Sequence, residues 1–181
     1  MVFYLAIISC MLGKKKWLLF IYLLSAICFF LCVLSMFGPL LIVTTQAGES
    51  VAFFGWIVIF GGKADYVFPS GTYSFSFAMS VYLLVMSQCF LLSGISCLLG
   101  KRSRFNRLAS ILLAMAGIGM SCFYKLGVCE ANGLPVDGVS YGGALPLILT
   151  LGIIGVVLEI IYGVFVTPNP AKTAPISKKR G

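Results

Sequence analysis

Long apolar runs separated by short polar segments predict four membrane-spanning helices in this chain. The runs occupy residues 17–37, 79–99, 108–124 and 145–166. A helix rises about 1.5 Å per residue, so about 20 apolar residues cross a hydrocarbon core of about 30 Å. The pattern therefore predicts an all-α membrane protein in which residues 1–166 form a single domain, a bundle of four transmembrane helices.

The first polar connection, residues 38–78, is too long to be a simple link between two helices. Tyr73, Phe75 and Phe77 alternate with Thr and Ser residues, as in a half-buried strand. The run 51–60 is rich in β-branched and aromatic residues but too short to cross a bilayer, so it is predicted to be a strand or an interfacial segment. We therefore predict a small β-containing loop region outside the bundle.

Basic residues predict which side of the membrane each connection faces. Eleven of the thirteen Lys and Arg residues lie in three clusters, at residues 14–16, 101–107 and 172–180. Cytoplasmic flanks of membrane spans are enriched in Lys and Arg. The loop 100–107 and both termini are therefore predicted to be cytoplasmic, and the segments 38–78 and 125–144 become extracellular loops.

The C-terminal tail, residues 167–181, is rich in proline and basic residues. Such a composition does not support a packed core and is attracted to anionic lipid headgroups. We predict that the tail is a disordered cytosolic segment. Together these patterns predict a multi-pass protein of the plasma membrane.

Composition supports this fold class and limits the chemistry. Hydrophobic residues make up 60% of the chain and charged residues 10%, against about 45–50% and about 25% in globular domains. The net charge of +8 does not indicate nucleic-acid binding, because the basic clusters flank apolar runs and lack interleaved aromatic residues. The absence of histidine removes the commonest metal ligand and proton shuttle. We predict no enzyme activity, no catalytic residue, no metal site and no cofactor.

The cysteines are predicted to be packing residues. Four of the seven lie inside predicted spans: Cys28, Cys32, Cys89 and Cys97. Cys122 and Cys129 would lie roughly 10 Å apart on a continuous helix, too far for a disulfide, so a bond between them requires the chain to unwind near Gly127. A four-span thiol oxidoreductase would need a Cys-x-x-Cys pair near the outer face, which the sequence lacks.

Small residues at helical spacing predict where the spans meet. Transmembrane helices associate through close packing and polar contacts, since lipid tails are as apolar as leucine. The predicted packing residues of the last two spans are Ser110, Ala114, Gly117, Ser121, Gly152, Gly155 and Gly163. These faces are expected to point into the bundle.

Glu159 is the acidic residue within a predicted span, on the glycine-rich face of the last one. A carboxyl group in the membrane is costly and often marks a functional site. Three interpretations are open: a structural carboxyl bonded to hydroxyls such as Ser25 and Ser93, part of an ion or proton route, or a side chain that snorkels to the interface. Gln88, near the middle of the second span, is predicted to bond across helices. Glu159, Gln88, Ser25 and Ser93 form the predicted intramembrane polar cluster.

The layout of four spans, a long strand-containing first outer loop, a short second outer loop and a basic tail resembles the claudin-type membrane proteins. The W, GLW, C, C signature of that family is missing from residues 38–78, so no functional residue is carried over. The chain is also similar to uncharacterised small four-span proteins of Gram-positive bacteria. That resemblance is carried by Phe54-Gly55, by Ile59-Phe60-Gly61 and by the glycine-rich last span. It implies no activity.

These observations predict a non-enzymatic structural or partner-binding subunit that presents an aromatic extracellular loop. The predicted contact residues are Phe54, Trp56, Phe60 and Tyr73. Besides the lipid bilayer, the expected partner is another membrane protein or a second copy of the chain, because exposed aromatic side chains commonly anchor interfaces. The alternative is a small transporter or ion-conducting oligomer that uses Glu159.

Overall fold

The computed structural model describes residues 14–100 and 103–166, so the predicted tail lies outside the described residues. The elements in chain order are α1 (Lys14–Ser35), β1 (Pro39–Thr44), β2 (Ser50–Phe54), α2 (Gly55–Phe60), β3 (Gly62–Phe68), β4 (Gly71–Phe77), α3 (Val81–Leu99), α4 (Arg104–Asn132), a 3-10 turn (Val136–Gly138), β5 (Val139–Tyr141) and α5 (Ala144–Val166). In this part of the chain, α1, α3, α4 and α5 are long and apolar enough to cross a membrane. The prediction of a mostly helical chain with four such helices and small sheets is confirmed.

The four long helices alternate in direction, as contacts at one end of the bundle show. The Tyr22 hydroxyl, near the start of α1, donates to the Leu98 carbonyl at the end of α3. The Tyr22 ring also lies 5.1 Å from the ring of Tyr162, in the last turns of α5. Arg107, in the first turn of α4, lies 5.9 Å from the same Tyr162 ring. We call this the basic end of the bundle, because Lys16, Arg104 and Arg107 lie there.

Helix α4 is longer than the predicted span 108–124 and extends into the predicted outer loop. Gly127 does not interrupt it, and the helix ends instead at Gly133, whose φ of 61° places it in the left-handed region that glycine adopts readily. Cys122 and Cys129 therefore remain on one continuous helix, and both are free cysteines. The unwinding that a disulfide between them requires does not occur.

The ends of the helices opposite the basic end carry two small antiparallel sheets. One has the strand order β2-β1-β5, and the other is the hairpin β3–β4. Leu41 of β1 is opposite Phe53 of β2 and Tyr141 of β5, so β1 joins the connection between α1 and α3 to the connection between α4 and α5. Gly142 follows β5, and a Cβ atom there would overlap the Pro39 carbonyl oxygen. Glycine is needed where these two backbones meet.

The run 51–60, predicted to be a strand or an interfacial segment, is divided between strand β2 and the six-residue helix α2. The chain changes direction at Gly55, whose backbone N–H donates to the Gly38 carbonyl at 2.9 Å. A Cβ atom at Gly55 would overlap the Met36 carbonyl oxygen. Helix α2 therefore lies directly on the end of α1, and at its other end the Ile59 carbonyl accepts from Ser80 at the start of α3.

Candidate functional site

A polar cluster lies between the helices near the basic end, around Glu159 of α5. Its side chain is 2% exposed. The Ser110 hydroxyl of α4 donates to Glu159 Oε2 at 2.7 Å. The Cys97 thiol of α3 also interacts with this carboxyl group. Three helices therefore contribute to one buried carboxyl site, and the structure places Glu159 inside the bundle.

Ser93 and Ser110 connect α3 to α4 through a reciprocal pair of contacts. The Ser93 hydroxyl donates to the Ser110 carbonyl at 2.8 Å. The hydroxyl oxygen of Ser110, which donates to Glu159, also lies 2.9 Å from the Ser93 carbonyl oxygen. Because a hydroxyl has one hydrogen, Ser110 can donate to only one of these acceptors at a time. The predicted cluster member Ser93 thus reaches Glu159 through Ser110.

Ser25 lies in the same layer but does not bond to the carboxyl group. Its hydroxyl donates to the Gly155 carbonyl at 2.8 Å, one turn before Glu159 on α5. Both Ser25 and Gly155 are buried. Ser25 therefore connects α1 to α5.

Gln88 does not lie with the other predicted members of the cluster. The structure places its side chain on the exposed face of α3. Met86 and Phe90, each two residues away, are fully buried. Two residues correspond to about 200° of rotation on a helix, so Gln88 faces the opposite direction.

The predicted packing residues of α4 lie on one buried face, and Gly152 and Gly155 lie on the buried face of α5. The glycines leave room for aromatic rings from neighbouring helices. A Cβ atom at Gly155 would lie 2.6 Å from Phe29, and one at Gly117 would lie 3.0 Å from Phe90. Gly163 differs, because it is half-buried and lines a cavity at the basic end.

This cavity, which we call the basic cavity, has a volume of about 330 Å³. Its lining consists of Arg104, Arg107, Leu108, Ile111, Glu159, Ile160, Gly163 and Val164. Among the described residues, neither Glu159 Oε1 nor Arg107 Nε has a hydrogen-bond partner, although both atoms are buried. Sequence reasoning used Arg104 and Arg107 only to assign the side of the membrane. Both arginines precede Ser110 on the same helix. This spacing could have indicated from the sequence that they reach the carboxyl site.

The predicted aromatic contact residues fall into two groups. Phe54, Trp56 and Phe60 are 48%, 54% and 57% exposed on β2 and α2, and we call them the outer aromatic surface. Tyr73 is half-buried and packs in the β3–β4 hairpin, with its ring 5.8 Å from that of Phe68. The hairpin therefore uses Tyr73 for its own packing.

The chain was compared with protein families, curated proteins and solved structures. None of them matches. The two resemblances therefore stay predictions, and the function has to be argued from the geometry.

The chemistry that the polar cluster offers is recognition of charged and polar groups. Within residues 14–100 and 103–166, no three His, Cys, Asp or Glu side chains lie together as a metal ion would require. The basic cavity combines guanidinium donors with a carboxyl acceptor. It can therefore hold a group that carries both an anion and a hydrogen-bond donor.

Proposed function

We propose that the chain is a non-enzymatic multi-pass protein of the plasma membrane that acts as a structural or partner-binding subunit. The proposal places the basic end and both termini in the cytoplasm, following the distribution of Lys and Arg. The sheets and α2 would then face outward. Four helices of spanning length support the membrane assignment.

The observation that carries the proposal is the outer aromatic surface. Its three rings are about half exposed, whereas Phe53 and Ile57 in the same stretch are buried. Burial of the alternate side chains holds the exposed ones in position, so binding would cost little ordering entropy. Large, pre-ordered aromatic side chains are typical anchors of protein interfaces.

Gln88 indicates that the partner is itself a membrane protein or a second copy of the chain. In a membrane its amide would face lipid near the middle of α3. Lipid tails offer no hydrogen bonds, so a polar side chain there favours contact with another helix. An amide carries both donors and an acceptor, so two Gln88 side chains can satisfy each other across a twofold axis.

The outer aromatic surface can be tested by co-purification in mild detergent. Replacing Phe54 and Trp56 together by serine is expected to weaken partner retention by at least about 2 kcal/mol, or about 30-fold. The control is Val67→Ser, an 82% exposed apolar residue on β3 outside this surface. Recovery of the unaltered chain as a lone monomer, or equal partner retention by both variants, would contradict the proposal.

Gln88→Leu is expected to weaken association within the membrane by about 1–2 kcal/mol, because it removes an interhelical hydrogen bond. The measurement is energy transfer between labelled copies in vesicles at several protein-to-lipid ratios. Val85→Leu, an apolar exchange on the same exposed face, serves as the control. Energy transfer that is unchanged in Gln88→Leu would show that this amide does not mediate self-association.

A transport role is the second candidate, because Glu159 lines the basic cavity and its buried Oε1 atom has no hydrogen-bond partner in the described part of the chain. The packing of the bundle centre disfavours a route through one chain. Phe29 and Phe90 are fully buried and occupy the space beside Gly155 and Gly117. Flux through proteoliposomes that is lost in Glu159→Gln would favour this candidate over the first.

A further inference from the structure

An apolar cavity between α4 and α5 lies next to the basic cavity. This second cavity has a volume of about 340 Å³. Its lining is Met115, Ile118, Ile153, Val156, Val157 and Ile160. Ile160 lines both cavities, so the two lie side by side along α4 and α5. We call them together the groove, which is charged at the basic end and apolar further along the two helices.

The charged part of the groove has polar groups that the described residues leave unsatisfied. Arg104 and Arg107 supply two guanidinium groups to the basic cavity, and Glu159 is nine-tenths or more buried at its wall. The buried atoms Arg107 Nε and Glu159 Oε1 have no hydrogen-bond partner in this part of the chain. A buried donor and acceptor without partners are costly, so a ligand that satisfies both is favoured.

From this geometry we propose that a phospholipid with an ammonium headgroup binds in the groove between α4 and α5. Its phosphate contacts Arg104 and Arg107, its ammonium group donates to Glu159 Oε1, and one acyl chain lies along the apolar cavity. This site is separate from the outer aromatic surface and does not depend on the partner-binding role.

The apolar cavity favours a lipid over a free phosphate. A free anion would occupy the basic cavity and leave the second cavity uncovered, whereas an acyl chain fills it. Leu108, Ile160 and Val164 beside the arginines are exposed, so the groove is flanked by the apolar surface that a membrane would cover. A lipid can enter from the side without crossing a polar barrier.

The carboxyl group favours an ammonium headgroup over a choline headgroup. Both headgroups carry the same charges, but a primary ammonium has three N–H donors and a quaternary choline nitrogen has none. Hydrogen bonds to charged groups are the stronger class. The structure therefore predicts selection by hydrogen-bond donor capacity, since charge does not distinguish the two headgroups.

The test uses the full chain purified in detergent and depleted of lipid. Phosphatidylethanolamine and phosphatidylcholine with identical acyl chains are added separately, and bound lipid is counted by native mass spectrometry. We expect about tenfold stronger retention of phosphatidylethanolamine and a rise in unfolding temperature with this lipid. Inorganic phosphate alone should raise the unfolding temperature less than this lipid does, because it leaves the apolar cavity uncovered.

Three substitutions assign the contacts. Arg107→Gln and Arg104→Gln are expected to reduce retention of both lipids by about five- to tenfold, because each removes a phosphate contact. Glu159→Gln should reduce the preference for phosphatidylethanolamine over phosphatidylcholine, because the ammonium group loses its charged hydrogen-bond acceptor. Lys16→Gln, an exposed cation at the same end that does not line the cavity, is the control and should behave as the unaltered chain.

Equal retention of the two lipids by the unaltered chain would overturn the proposal, and that measurement depends on no variant. The proposal would also be overturned if the Arg107→Gln variant retained as much lipid as the Lys16→Gln variant does. A stabilising effect of inorganic phosphate equal to that of the lipid would show that the basic cavity binds free anions and would reject the lipid as its occupant.

Discussion

Gly55→Ala is expected to separate the outer region from the helix bundle and to be among the most destabilising single substitutions in the chain. The added Cβ atom would overlap the Met36 carbonyl oxygen. The backbone fixes the position of a Cβ atom, and the carbonyl oxygen belongs to the backbone of Met36. No side-chain rotation therefore relieves the contact, and α2 would have to move off the end of α1. Overpacking typically costs about 1–3 kcal/mol, and we expect the upper part of that range or more.

The measurement is the unfolding temperature of the detergent-solubilised chain, with proteolysis between α1 and α3 as a local readout. Gly142→Ala should have a similar effect, since its Cβ would overlap the Pro39 carbonyl. Gly119→Ala is the matched control, because apart from its chain neighbours and the adjoining backbone of α4 no described atom lies within 4 Å of a Cβ added there. If the Gly55→Ala variant were as stable as the Gly119→Ala variant, the close contact between residue 55 and the Met36 carbonyl would be contradicted.

Ser110→Ala is expected to destabilise the bundle by about 2–3 kcal/mol. It removes the hydroxyl that donates to Glu159 Oε2 and leaves a buried carboxyl group without this partner. An unsatisfied buried acceptor costs more than the hydrogen bond itself contributes. Ser121→Ala is the matched control, because that buried hydroxyl on the same helix donates to the Gly117 carbonyl one turn earlier.

A double variant tests whether the Glu159 carboxyl group stabilises the bundle or is only tolerated in it. Replacing both partners of a buried hydrogen bond by apolar groups of similar shape can be nearly neutral. Ser110→Ala combined with Glu159→Met should therefore unfold at a higher temperature than Ser110→Ala. A double variant less stable than the Ser110 single variant would show that Glu159 stabilises the bundle through other contacts, such as those in the basic cavity.

The polar cluster was partly predictable because helical spacing relates residues along one span. The spacing of Glu159, Gly152 and Gly155 placed the carboxyl group on the buried face of α5. Spacing did not predict the direction of Gln88, since α3 is apolar around its whole circumference and its pattern does not distinguish the lipid side from the bundle side. The packing of Phe90 and Met86 against other helices decides that direction.

Arg107 shows a second limit of sequence reasoning. Its charge was sufficient to predict a side of the membrane, but a long flexible side chain can point to water, lipid or protein. The structure places it at the basic cavity with Glu159, which lies 52 positions later in the chain. No local pattern relates two residues on separate helices.

By itself the sequence determined the four helices of spanning length, because apolar composition over about 20 residues suffices for a span whatever its neighbours are. It also determined that Glu159 lies within the last of them. The tertiary structure decided the rest. Helix α2 and strand β5 are too short to form alone, and they exist because β1, the end of α1 and the start of α3 supply their hydrogen bonds. The groove between α4 and α5 likewise depends on how two separate helices pack.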